Sequence, residues 1–326
     1  MSDLPAPTRP REILVHAREL IDRGLCSEAR ALLDGLARSA QQADELALGP
    51  VTVLGYPRKL QSAYLKIAKL EGDTVRRVGL QHSLVPPPDL LLPFARFTGA
   101  ERREMNVANG KPVPRILHQI WLGSLPVPPA AEAWASHAKA HGLEYRLWRE
   151  EDLEVLDVAS HSSFRQMMDQ GDYPGAVDIA RYFILHALGG IYLDCDWYPA
   201  RDDLSFADIM PLSGLSALAE DTPRETGVGS LLLTNSFIAT PPGHPVFARL
   251  LAILPEVTRL LPDGPAWWST GPLIMTLLFR ATTFSVPDAT FVAHNLKRRA
   301  PYAEVESARA RAVQEDGGLL IGWKSW

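Results

Sequence analysis

The sequence predicts an α/β fold: a mostly parallel sheet with helices on its faces, preceded by a helical region. From Pro114 onward, short apolar runs alternate with segments of helical period, as strands joined by crossover helices do. Residues 1–95 show the helical period alone. The 27 prolines and 23 glycines supply more turn-forming residues than a helical bundle uses.

The chain has 326 residues, 46% of them hydrophobic and 22% charged, the balance of a globular protein with a substantial core. A formal net charge of −5 offers no basic field to attract nucleic acid or an anionic membrane. No apolar run reaches the roughly 20 residues of a membrane span, and "MSDLPAPTRPRE" contains no signal-peptide core. Cys26 and Cys195 lie too far apart for a metal-type spacing. Together these features predict a cytoplasmic protein, at most peripheral to a membrane.

Two domains are expected. In residues 1–95, "REILVHARELIDRGL" places Ile13, Leu14, Ala17, Leu20 and Ile21 on one stripe, with Gly24 to end the helix. "SEARALLDGLARSA" repeats the pattern after Ser27 as N-cap, and "RKLQSAYLKIAKLEGD" adds a third helix. The prolines of "VPPPDLLLPF" (85–94) then read as a linker. The second domain covers 112–326. Its strands are predicted at "RILHQIWL" (115–122), "EYRLW" (144–148), "GIYLD" (190–194) and within "SLLLTNSFIAT" (230–240). Helices are predicted at "GAVDIARYFILHAL" (175–188), "HPVFARLLAIL" and "GPLIMTLLFRA". Ligands of such sheets sit beyond the carboxyl ends of the strands, which is where "DCD" falls.

Asp194 and Asp196 flank Cys195 at the end of an apolar strand. Alternation along the strand would put both carboxylates on one side and the thiol on the other. Two such like charges repel until a hard cation joins them. Mg²⁺ or Mn²⁺ suits, since each takes one or two carboxylates and completes its shell with substrate phosphate and water. In the preceding helix, Asp178 and Arg181 are three residues apart and share a face, with Ala176, Ala180, Phe183, Ile184 and Ala187 on the opposite arc. Spacing alone leaves two readings of that pair: an exposed ion pair worth at most about 1 kcal/mol, or an acceptor and a fork-shaped donor presented to a phosphate or a polyhydroxylated ligand. His118 and Cys195 read as core residues, and His244 as the start of a helix. Trp267 and Trp268 read equally as core or as a shelf for a sugar ring.

Taken together, "YPGAVDIARYFILHALGGIYLDCD", "PRILHQIWLG" and "YRLW" resemble the DXD-containing sugar-binding region of glycosyltransferases. That grouping includes the yeast initiating mannosyltransferases, bacterial capsular transferases and, more distantly, the glucosylating domains of large clostridial toxins. The resemblance covers residues 112–245 and continues more weakly to the end. It implies a GT-A fold (Rossmann-like), a UDP- or GDP-sugar donor, Mn²⁺ or Mg²⁺, and hexose transfer with retention of configuration. The acceptor hydroxyl would belong to a glycan or polysaccharide precursor, a lipid-linked saccharide, a protein or a small molecule. By the same resemblance, Asp194 and Asp196 hold the metal and diphosphate, and Asp178 and Arg181 hold the donor sugar. Trp121 stacks on the base, Gln119 and Ile120 line its pocket, and Tyr192 approaches the donor. Asn235 lies near sugar and acceptor, and Trp326 of the closing "KSW" covers the diphosphate, with Lys324 beside it.

The chain departs from the family at two places. Val177 stands where Ser, Cys or Thr is usual, and the closing segment lacks the family's His. His294 or a glutamate of "AEVESARAR" are the candidates to replace that ligand. Two further readings stand beside the transferase. One is a haloacid-dehalogenase-type phosphohydrolase, whose nucleophile also follows a strand as D-x-D, although Tyr198 occupies its usual Thr or Val position. The other is an inactive transferase domain serving as a binding module.

Overall fold

The computed structural model describes residues 9–39, 48–52, 56–86, 88–219, 232–262 and 264–326. They fall into two compact units, divided between Leu90 and Leu91. The first contains α1 (Pro10–Asp22), α2 (Cys26–Ser39), α3 (Arg58–Glu71) and α4 (Thr74–Ser83). The predicted stripes meet in one core: Leu14, Ala17, Leu20 and Ile21 against Ala29, Leu33 and Leu36, and both against Leu60, Ala63 and Ile67. Gly24 follows α1 at φ 78°, a conformation that favours glycine. Ser27 is not the cap of α2, which already begins at Cys26. The predicted linker is also not extended. It forms a helical turn at Pro88–Leu91 and a 3₁₀ turn at Leu92–Ala95, since proline is tolerated in the first turn, where its missing N–H costs nothing.

The second unit runs α5 (Gly99–Asn109), β1 (Ile116–Ile120), α6 (Pro129–Ala140), β2 (Glu144–Trp148), α7 (Ser162–Asp169), α8 (Tyr173–Leu188), β3 (Gly190–Leu193) and β4 (Trp197–Pro199). It continues with β5 (Ser216–Ala219), β6 (Leu233–Thr240), α9 (Pro245–Leu260), α10 (Pro272–Phe279), β7 (Val292–Asn295), α11 (Tyr302–Gln314) and β8 (Leu320–Gly322). Residues 230 and 231 of the predicted fourth strand lie outside the described residues.

The main sheet has the order β2-β1-β3-β6-β5. Its first three strands are parallel, as the alternation of strands and helices requires. β6 runs antiparallel to both β3 and β5, so the sheet is mixed. A second sheet, β4-β8-β7, pairs the segment just after "DCD" with the C-terminal strand. The last residues of the chain are thereby brought to the two aspartates.

Helix α8 is buried nearly all round. Ile179, Tyr182 and Leu185 join Ala176, Ala180 and Ile184 in the core, while Ala187 is exposed. A helix buried on several faces lies between layers, which a single-stripe reading misses. Gly189 and Gly190 link α8 to β3 at φ 64° and 95°. A Cβ on Gly190 would lie 2.8 Å from the Ile116 carbonyl and 2.9 Å from His118 Nε2. His118 is a satisfied core residue: Nδ1 accepts from Trp148 Nε1 (3.1 Å), which leaves Nε2 to donate to the Gly189 carbonyl (3.0 Å). Burial lowers its pKa to about 4 and keeps it neutral. His244 caps α9 by accepting from the Val246 amide at 3.3 Å.

Candidate active site

The carboxyl end of β3 opens into a cleft of about 480 Å³, a size suited to a small organic ligand. Asp194 and Asp196 both line it, but not by strand alternation. The strand stops at Leu193 and the chain turns, the Trp197 amide donating to the Asp194 carbonyl at 3.2 Å. The turn, rather than the pleat, gives both carboxylates to one cleft. Cys195 at its centre is buried, its thiol donating to the Ile120 carbonyl at 3.4 Å.

The floor of the cleft is a buried polar network. Arg181, 3% exposed, lies between two carboxylates: Nη2 is 2.9 Å from Asp178 Oδ1 and Nη1 is 3.2 Å from Asp194 Oδ1. Nη1 also donates to the Asn235 carbonyl, and Nε to the Val177 carbonyl at 3.3 Å. The guanidinium lies 4.4 Å from the centre of the Tyr192 ring, a cation–π contact. Tyr192 donates its hydroxyl to Asp194 Oδ1 at 2.7 Å. Asp178 accepts from Asn235 Nδ2 (2.7 Å) and from the Thr270 hydroxyl (2.9 Å). Burial, opposed by Arg181, Thr270 and Asn235, still raises the Asp178 pKa to about 6. Burial and the charge of Asp194 raise Asp196 to about 6 as well, against the pull of Lys324.

These residues fit a divalent cation. Asp196 is a carboxylate whose charge is held at a cost beside another, which is the condition a hard cation relieves. Among the described residues no three His, Cys, Asp or Glu side chains cluster closely enough to form a ligand cage. Oxygens of a diphosphate and water would therefore complete the shell, as Mg²⁺ prefers. The proposed third ligands are placed elsewhere. His294 is paired with Arg311 at 3.0 Å, Glu304 and Glu306 are exposed on α11, and none of the three lines the cleft.

At the other wall, Trp121 follows β1 and donates its indole N–H to the Leu125 carbonyl at 2.8 Å. Trp326 meets it edge to face at 4.8 Å, and Lys324 lies 5.2 Å from the Trp326 ring centre. The Trp323 amide donates to the Asp196 carbonyl at 2.7 Å, tying the tail to the turn.

Residues 129–211 match the family described as the glycosyltransferase sugar-binding region containing a DXD motif. That segment of the chain is similar to the DXD-containing region of glycosyltransferases. Asp178, Arg181, Asp194 and Asp196 all fall inside the matched residues. Inositol phosphoceramide mannosyltransferase 3 of Schizosaccharomyces pombe is 28% identical over 186 residues, 54% of this chain and 47% of that protein. A mannosyl phosphorylinositol ceramide synthase of Saccharomyces cerevisiae is 27% identical over 177 residues, 52% of this chain and 43% of that protein. The chain spans about half the length of the curated relatives it matches. Among solved structures, the PaToxG glycosyltransferase is similar at 16% identity and a TM-score of 0.43, covering 59% of this chain and 77% of that one.

Of the eleven residues that the resemblance assigns to donor, metal or acceptor, ten line the cleft: Ile120, Trp121, Asp178, Arg181, Tyr192, Asp194, Asp196, Asn235, Lys324 and Trp326. Gln119 does not. It is fully buried behind the wall, its amide donating to the Asp194 carbonyl (3.2 Å) and its Oε1 accepting from Tyr145 (2.9 Å). Its part is to hold the turn that presents the aspartates. Trp267 lines the cleft while Trp268 is buried, which divides the pair that the sequence left open. Thr270 and Gly271 were not singled out: the Thr270 hydroxyl donates to Asp178 Oδ2, and Gly271 leaves that oxygen its space. A Cβ on Gly271 would lie 2.8 Å from Asp178 Oδ2, so only glycine leaves that carboxylate its place. The neighbouring "STGP" turn is the signal that marks them.

Proposed function

We propose that the protein is a retaining, metal-dependent glycosyltransferase that moves a hexose from a UDP- or GDP-sugar to a hydroxyl acceptor. The observation that carries the reading is the convergence of Asp194 and Asp196 with the Asp178–Arg181–Asn235 network and Trp121 on one cleft. Both Arg181 and Tyr192 contact Asp194 through Oδ1, so Oδ2 and the Asp196 carboxylate are the ligands proposed for Mn²⁺ or Mg²⁺. When bound, the ion offsets the negative charge of the departing diphosphate.

The chain's own residues position the donor. Asp178 accepts from sugar hydroxyls, while Arg181 and Asn235 keep that carboxylate oriented and ionised above its raised pKa. Trp121 stacks on the base, and Lys324 supplies a further positive charge for the diphosphate. The bond from the sugar's anomeric carbon to the diphosphate oxygen breaks as the acceptor oxygen bonds to that carbon on the same face. The acceptor's proton passes to the leaving diphosphate.

The names of the relatives put mannose first among sugars to test, and a lipid-linked inositol first among acceptors. Leu125 (58% exposed) and Tyr173 (43%) at the cleft mouth would meet the apolar part of such an acceptor in the cytoplasm. Donor hydrolysis by the purified protein, assayed with Mn²⁺ across UDP- and GDP-sugars, tests the reading. Turnover of one donor that disappears in Asp196→Asn is the expected result. Hydrolysis of an aryl phosphate without donor turnover would favour the phosphohydrolase instead.

A further inference from the structure

The cleft extends to both sides of β3, because the main sheet places β1 on one side of that strand and β6 on the other. Trp121, which follows β1, stands with Trp326 on the first side. On the second side, β6 runs beside the DXD turn, the Asp194 amide donating to the Ser236 carbonyl at 2.8 Å. α10 is fastened to that strand, the Leu233 amide donating to the Thr276 hydroxyl at 3.0 Å. Just before α10, the helical turn Ala266–Ser269 brings Trp267 into the lining of the cleft.

Trp267 is half-buried, whereas Trp268 beside it is buried and supplies the packing of this turn. The core therefore does not require a second indole at 267. The turn is also tied to the carboxylate proposed to hold the donor sugar. The Ala266 carbonyl accepts from the Thr270 amide at 3.0 Å and the Gly271 amide at 2.8 Å. Thr270 in turn donates its hydroxyl to Asp178 at 2.9 Å, and its carbonyl accepts from the Tyr182 hydroxyl at 2.8 Å. A ligand resting on Trp267 is thus kept in register with whatever Asp178 holds.

The β6 side of the cleft suits a neutral ligand. Thr234 and Asn235 are uncharged, and the charge of the buried Arg181 is met by Asp178 and Asp194, so an anion gains little. An indole packs against the C–H face of a six-membered polyol while the ring's hydroxyls meet water and polar side chains. From this combination we propose that Trp267 is the platform for a six-membered polyol ring, pyranose or cyclitol. That this ring carries the acceptor hydroxyl rests on the transferase reading; the ring-binding role does not.

Saturation-transfer NMR on the full chain, first without nucleotide or metal, tests the platform with methyl α-mannopyranoside, methyl β-galactopyranoside and myo-inositol. The expected result is millimolar binding of at least one ring. It should weaken roughly tenfold in Trp267→Ala and no more than about threefold in Trp267→Phe, which keeps an aromatic face. Both variants would first be shown to melt as the parent does, with Trp267→Leu in place of the alanine variant if that one does not. Adding UDP or GDP with Mg²⁺ should leave the ring's signal in place, since the nucleotide belongs at Trp121. Failure of all three rings to bind would overturn the proposal. So would binding that survives Trp267→Ala, equal loss in the alanine and phenylalanine variants, or displacement of the ring by either nucleotide. Donor hydrolysis by the same parent protein keeps the two ideas apart. Ring binding that depends on Trp267, without turnover of any UDP- or GDP-sugar, supports the platform and refutes the transferase. Turnover without ring binding refutes the platform alone.

Discussion

Arg181 Nη1 lies 3.2 Å from Asp194 Oδ1, so the first carboxylate of the DXD turn is held from α8 by a buried cation. The same guanidinium serves Asp178 at 2.9 Å, and its side chain is only 4% exposed. One positive charge thus supports two carboxylates, with the rest of the network supplied by neutral groups. This arrangement sets the terms of each prediction below.

Removing Arg181 should destabilise the protein as well as inactivate it. Arg181→Ala leaves Asp178 buried without its cation, a loss of about 3–5 kcal/mol. Adding Asp178→Asn removes the stranded charge, so the double variant should unfold at higher denaturant concentration than Arg181→Ala alone. Urea denaturation of the three variants checks this.

Asp196 should cost stability at the position proposed to hold the metal. Its folded pKa is about 6 against a model-compound value of 3.8, so the folded state holds the proton more tightly than the unfolded chain. The stabilisation is complete below the unfolded value and is lost as pH rises through about 6. Metal-free Asp196→Asn should therefore melt above the parent at neutral pH, by on the order of 1–3 kcal/mol. The difference should shrink toward pH 4. Thermal melts across pH, with EDTA present, measure it.

Gly271→Ala should damage donor binding without touching an ionisable group. The added methyl would stand 2.8 Å from Asp178 Oδ2 and 3.4 Å from Asn235 Nδ2, so the carboxylate must move. Small displacements of a positioning group cost roughly tenfold to a hundredfold in rate. Donor-hydrolysis kinetics, with the melting temperature as control, test this.

Trp326→Ala should raise the donor KM roughly tenfold while changing kcat less, because the indole contributes packing against Trp121 rather than chemistry. A Lys324→Ala variant with unchanged turnover would remove that lysine from the proposed diphosphate contacts.

The parts of the site legible in the sequence are those written contiguously. Asp178, Arg181, Asp194 and Asp196 lie within one helix–turn–strand unit, where helical spacing and strand ends fix their placement. The side on which the aspartates emerge was legible too, although a β-turn rather than strand alternation produces it. Gln119 was placed one layer too far forward, because a buried strand of four inward residues does not tell which side chain meets ligand and which braces the neighbouring turn. Thr270 and Gly271 reach Asp178 from about ninety residues away, and no local period encodes that meeting. The same holds for the pairing of β4 with β8, which brings Trp326 to Trp121, and for the antiparallel entry of β6 into the sheet.

The most direct test is calorimetric titration of UDP- and GDP-sugars into the full chain, with and without Mn²⁺, in the parent and in Asp196→Asn. The account predicts that one donor binds the parent only when the metal is present, and that the variant loses this binding. Donor binding of equal strength without metal, or in both proteins, would contradict it.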